Sequence, residues 1–149
     1  MNQSISRLNI GILQEFTRIK KPHKQALIIG KLFCILLCSF RNPPLTEDCT
    51  FSLVSAEFDK WESIQYYLLS NPNRTLSECA AIKIRSQSKQ FINKEFINST
   101  LQMITDNEGL LKIVPSQSLR VIFDIVQRTL IYVEFKYLKS LKQGQSPKR

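Results

Sequence analysis

Glycine and proline are scarce, four and six in 149 residues. That scarcity excludes collagen-like, low-complexity and loop-rich disulfide scaffolds. The four cysteines, Cys34, Cys38, Cys49 and Cys79, form no Cys-x-x-Cys pair. Two lie in an apolar run, so all four read as reduced core residues of an intracellular protein. The single histidine, His23, stands beside a proline among lysines, with too few partners for a catalytic triad or a histidine metal site. Gly30-Lys31 is followed by Leu32, and residue 25 is Gln, so the phosphate-cradling loop is absent. Residues 1–6 lack the charged-then-apolar pattern of a signal peptide. The most apolar stretch, residues 26–40, falls short of the about 20 residues a bilayer span needs and carries Lys31 at its centre. It reads as a buried core helix. The expectation is a non-enzymatic protein with no cofactor, no metal, no small-molecule substrate and no membrane partner.

Acidic groups are also in short supply, 12 against 21 basic ones, for a net charge of +9. Residues 1–41 hold seven basic groups and one acid, and residues 112–149 hold eight and two. Between them, residues 42–111 hold six basic groups and nine acids. Two basic ends brought together would form one electropositive region, which suits an acidic protein surface, a nucleic acid or an anionic membrane.

The chain length suits one all-α domain, expected as a small bundle of about six helices. Ile5, Leu8, Ile12, Phe16 and Ile19 recur at spacings of 3, 4, 4 and 3, a helical stripe close to a heptad seam. Pro22 breaks it and can open the next helix, over residues 22–38. Asn42-Pro43-Pro44 ends that helix, and a long loop follows, with a short strand or hairpin predicted over residues 49–54. Asp59 and Glu62 have the spacing of a capping box that opens a helix carrying Trp61, Ile64 and Leu68. Thr75 and Glu78 repeat the pattern for a further short helix, and residues 87–104 carry another. The last helix begins near residue 115, with Leu119, Ile122, Val126, Leu130, Val133, Tyr137 and Leu141 on one stripe. Domain assignment follows: residues 1–143 as one domain, with 4–19 and 126–143 paired as a short antiparallel coiled-coil stem. Residues 22–125 form the head, and 144–149 a disordered basic tail.

Arg18, Lys20, Lys21, Lys24, Lys136, Lys139 and Lys142 have the charge to neutralise phosphates. No zinc-finger spacing, aromatic-basic strand or helix-turn-helix with a polar recognition helix accompanies them. Nucleic acid is therefore disfavoured.

The order of motifs resembles the microtubule-binding domain at the tip of the dynein heavy-chain stalk, in its axonemal form. The residues that carry the resemblance are Pro22 with Phe33-Cys34-Ile35-Leu36-Leu37, then Lys60-Trp61-Glu62-Ser63-Ile64, then Leu68-Leu69-Ser70-Asn71-Pro72. Ile104-Thr105-Asp106-Asn107-Glu108, Lys112-Ile113-Val114 and Ser118 complete it, so the likeness spans residues 18–137. Nothing in the chain is similar to a motor ring. The resemblance implies an axonemal, cytoskeletal setting in the cytoplasm of a cilium or flagellum, with tubulin and other axonemal proteins as partners.

The chain also departs from the family pattern. His23 replaces a second proline, Leu27 and Gln65 stand at usually basic positions, and Lys31 stands where an acid is common. Ser116 or a neighbour replaces a basic residue, and Val126-Gln127 replaces a basic-Trp pair. A re-sited tubulin-binding patch would consist of Lys20, Lys21, Lys24, Lys31, Lys112 and Arg120. The other readings are an assembly module that binds a partner coiled coil through its apolar seams, and a basic nucleic-acid-binding domain.

Overall fold

A computed structural model of the chain describes residues 7–41, 49–114 and 116–139, except the side chains of 138 and 139. The expected all-α bundle is what forms, with eight α-helices and no strand among the described residues. They are α1 (Ile10–Thr17), α2 (Lys24–Ser39), α3 (Phe51–Glu57), α4 (Trp61–Leu69), α5 (Pro72–Arg85), α6 (Lys94–Asp106), α7 (Glu108–Leu111) and α8 (Gln117–Val133). A 3-10 turn over Lys89–Phe91 precedes α6, and a π-helical segment, Glu134–Lys139, continues α8.

Local chemistry sets the helix starts. Asn9, Thr50, Asn71 and Asn93 each accept a hydrogen bond from a backbone N–H three residues on, which satisfies one of the donors every helix leaves open. His23 does the same for α2, its Nδ1 accepting from the Ala26 N–H at 3.3 Å. The lone histidine is therefore a cap, and α2 begins at Lys24 rather than at Pro22.

Two other caps differ from expectation. Lys60, not Asp59, occupies the cap position of α4, without a side-chain bond, because Asp59 turns instead to Lys31. Helix α5 begins at Pro72 with Asn71 as its cap, so Thr75 lies inside the helix. Its hydroxyl donates to the Leu68 carbonyl at 2.9 Å, joining α4 to α5. The predicted strand at residues 49–54 is helical: α3 starts at Phe51, whose N–H donates to Glu95 on α6 at 2.8 Å.

Helix α2 is the centre. All of its residues except Lys24, Leu27, Ile28 and Lys31 are buried, as the apolar run predicts. It contacts α3, α4, α5, α6 and α8. Gly30 makes the tightest approach: a Cβ there would lie 3.0 Å from the Phe16 ring, 3.1 Å from an Ile64 methyl and 3.3 Å from the Trp61 ring. Phe16 and Trp61 meet edge to face, with centroids 5.3 Å apart.

The coiled-coil stem is not confirmed. Helix α1 has only eight residues, interrupted upstream at Leu8-Asn9, and it packs against α4 and α5 as well as α8. Its buried residues are Leu13, Phe16 and Thr17, and of the predicted stripe Leu8 and Phe16 are buried while Ile12 and Ile19 are partly buried against the core. Two turns are too few for a supercoil, and the stripe belongs to the core of the head. Of the remaining expectations, Ile5, residues 42–48 of the long loop and the basic tail at 144–149 lie outside the described residues.

Gly30 tests this packing. Gly30→Ala gains about 1 kcal/mol of helix propensity but forces buried rings apart, so its net effect is expected within about 1 kcal/mol of zero. Gly30→Leu keeps the propensity gain yet is expected to destabilise by about 3 kcal/mol, measured as a lowered urea midpoint.

Candidate functional site

The two basic ends of the sequence meet through one buried amide. Gln25, at the start of α2, donates from Nε2 to the Leu110 carbonyl at 2.9 Å and to the Ile113 carbonyl at 2.7 Å. Both bonds satisfy acceptors at the end of α7, where the chain turns towards α8. Lys24 adjoins the donor of this junction and Lys112 lies between its two acceptors. Lys20 and Lys21 sit in the exposed link that leads into α2.

Lys112 and Arg120 line one open groove of about 760 Å³ between α7 and α8, with Arg7 at its edge. Leu111, Val121 and Phe123 supply apolar lining. Of the six predicted basic residues, Lys24 and Lys112 thus adjoin the Gln25 junction, and Lys112 and Arg120 share the groove. Lys31 does not join them. Two turns along α2 from Lys24, it pairs with Asp59, so its charge is already matched.

The two departures at usually basic positions have structural explanations. Gln65 Nε2 donates to the Thr17 carbonyl, and Trp61 Nε1 donates to the Ile19 carbonyl at 2.9 Å. Together they close the C-terminal end of α1, which otherwise presents open acceptors. Leu27 is half-buried and packs against the core.

No motif in the sequence points to Arg7, Arg128, Ile131 or Phe135. Arg7 and Arg128 line the groove, whereas Ile131 and Phe135 are 62% and 70% exposed. The usable signal was the heptad stripe itself. Once Val126, Leu130, Val133 and Tyr137 fill the core, apolar residues off that stripe must face outward.

The thiols have the character of packing groups. Burial pushes the Cys34, Cys38 and Cys79 thiols up, the last from 9.0 to about 12. Such thiols hold little thiolate near neutral pH and are poor nucleophiles. Cys38 donates weakly to the Tyr67 hydroxyl at 3.4 Å, and Tyr67's own ionisation is pushed up chiefly by burial. Among the described residues no three His, Cys, Asp or Glu side chains gather as a metal site. No helix there is long and apolar enough to cross a membrane.

No family model, characterised protein or solved structure matches the chain. The likeness to the dynein stalk head therefore stands on the ordered motifs alone.

Two measurements check this geometry. Replacing Gln25 by Leu strands the Leu110 and Ile113 carbonyls, and a cost of about 1–3 kcal/mol is expected, with faster amide exchange over residues 112–114. Alkali probes the thiols. The folded state keeps the Cys79 proton where the unfolded chain loses it, so this contribution is intact below about pH 9. It is lost as the pH rises towards 12, at up to about 1.4 kcal/mol per unit. Urea titrations at pH 8 and pH 10 should show the midpoint falling, and Cys79→Ala should flatten the fall.

Proposed function

We propose that this chain is a non-enzymatic microtubule-associated protein of cilia or flagella that meets the tubulin lattice through the basic end of a helical head. The observation that carries the reading is the Gln25 junction, which brings the start of α2, with Lys24, to the turn carrying Lys112 and to the groove containing Arg120. Tubulin's surface is strongly acidic. A net +9 chain with such an end would be steered onto it and held by many weak contacts. Lys20, Lys21, Lys24, Lys112 and Arg120 would contribute, and Lys31 would not, since Asp59 already neutralises it. The setting is the axoneme, within the cytoskeleton of the cilium or flagellum, with other axonemal proteins as further partners.

A second reading is a helical assembly module with no tubulin contact. The exposure of Ile131 and Phe135 favours it, because apolar side chains left open at helical spacing suit a partner helix.

Co-pelleting with microtubules separates the two. The intact chain is expected to pellet at low salt and to be released as ionic strength rises. Lys20→Glu, Lys21→Glu and Lys24→Glu together should abolish pelleting, while Lys31→Gln should leave it nearly unchanged. Absence of pelleting at low salt would exclude direct tubulin binding. Release by an equal charge of duplex DNA would point instead to a general polyanion binder.

A further inference from the structure

One side of α8 has a feature that the tubulin reading does not use. Ile131 and Phe135, four residues apart, are open to solvent at 62% and 70%. Stepping back along the same side at helical spacing reaches Gln127, Asp124 and Arg120, all of which line the groove against α7. Groove and exposed pair form one continuous track from residue 120 to residue 135, about 22 Å at 1.5 Å per residue.

The track is polarised. At the groove end, Arg7, Lys112 and Arg120 outnumber Glu108, which lines the same groove, and form no ion pair with a carboxylate among the described residues, above a lining of Leu111, Val121 and Phe123. Midway, Arg128 is paired with Asp124 at 2.9 Å. The far end is Ile131 and Phe135.

We propose that this track seats a single α-helix of a partner protein, about four turns long. Its acidic end would lie over Lys112 and Arg120, and its apolar end over Ile131 and Phe135. Complementarity selects this occupant. A polyanion would satisfy the cations and leave Ile131 and Phe135 in water. A second copy of the chain fits poorly in either direction: laid parallel it opposes cation to cation, and laid antiparallel it sets Arg120 against the apolar pair. A helix with acids at one end and leucines at the other meets both demands, in the usual manner of a helix in a groove. The proposal rests on the assembly-module reading, and although the track shares Lys112 and Arg120 with the tubulin-binding end, Lys20, Lys21 and Lys24 lie off it.

The test uses the full chain and two fluorescent helical peptides of about 16 residues. Both carry leucines at i, i+3, i+4 and i+7 in one half and glutamates in the other, with the halves in opposite order. Fluorescence anisotropy at moderate salt is expected to show saturable binding of one peptide. Ile131→Ser with Phe135→Ser, and separately Lys112→Glu with Arg120→Glu, should each weaken it at least tenfold. Lys20→Glu, Lys21→Glu and Lys24→Glu together should leave it unchanged. These seven positions are at the surface, and unchanged thermal melting of each variant excludes unfolding as the cause. Three results would overturn the proposal. They are failure of both peptides to bind, equal binding of a peptide with the same composition but scrambled order, and a dimer in sedimentation that Ile131→Ser with Phe135→Ser dissociates.

Discussion

The architecture depends on one helix being apolar on nearly every side. A helix such as α2 has no face it can show to water, so the chain must supply neighbours all round it. Six other helices do so, and the closest contact is at Gly30, where Phe16, Ile64 and Trp61 converge from α1 and α4. The absence of a side chain at residue 30 lets three bulky groups reach the α2 backbone. That close contact fixes where α1 and α4 lie. With Phe16 in the core, α1 lies against α4 and α5 as well as α8 rather than pairing with α8 alone.

Enclosing a helix on all sides creates a second problem, because every helix end brought near the core leaves polar groups to satisfy. The chain solves this with side chains that reach between elements. Trp61 and Gln65 close the end of α1, Arg85 donates to the Phe40 carbonyl at the end of α2, and Gln25 closes the turn after α7. The last of these also aligns the basic ends of the sequence. Charge placement in this protein is thus a by-product of satisfying backbone carbonyls. A residue at position 65 that turned its head to solvent would gain a surface charge and leave the Thr17 carbonyl without its donor.

Much of this was legible in the sequence, and the failures have identifiable causes. The central helix could be read from residues 26–40 because burial on all sides removes any need for polar alternation. The breaks at Pro22 and at Ser70-Asn71-Pro72 were also readable, since proline acts locally. What the sequence hid were choices between local and distant partners. Asp59 has the spacing of a cap, yet its carboxylate pairs with Lys31, 28 residues away. Thr75 likewise resembles a cap, but its hydroxyl reaches back to Leu68. Residues 49–54 alternate like a strand, and docking against α6 through Glu95 makes them helical. The basic ends of the sequence were readable from the charge distribution, whereas the junction that brings Lys24 towards Lys112, a single glutamine, carries no pattern that spacing would detect.

The two apolar registers of α8 bring these threads together. Val126, Leu130, Val133 and Tyr137 form the stripe that a heptad reading would assign to a partner helix, and all four are buried within this chain. Their burial turns Ile131 and Phe135 outward, where leaving them wet costs about 25 cal/mol for each Å² of apolar surface. The core itself gives no reason for this arrangement, because two exposed polar residues there would leave the packing of α8 against α2 unaltered. The inner register explains how the head holds together, and the outer register is the one the proposed partner helix would cover. Placed in series with Lys112 and Arg120 along one helix, that outer register sets a direction as well as a position for whatever lies against it.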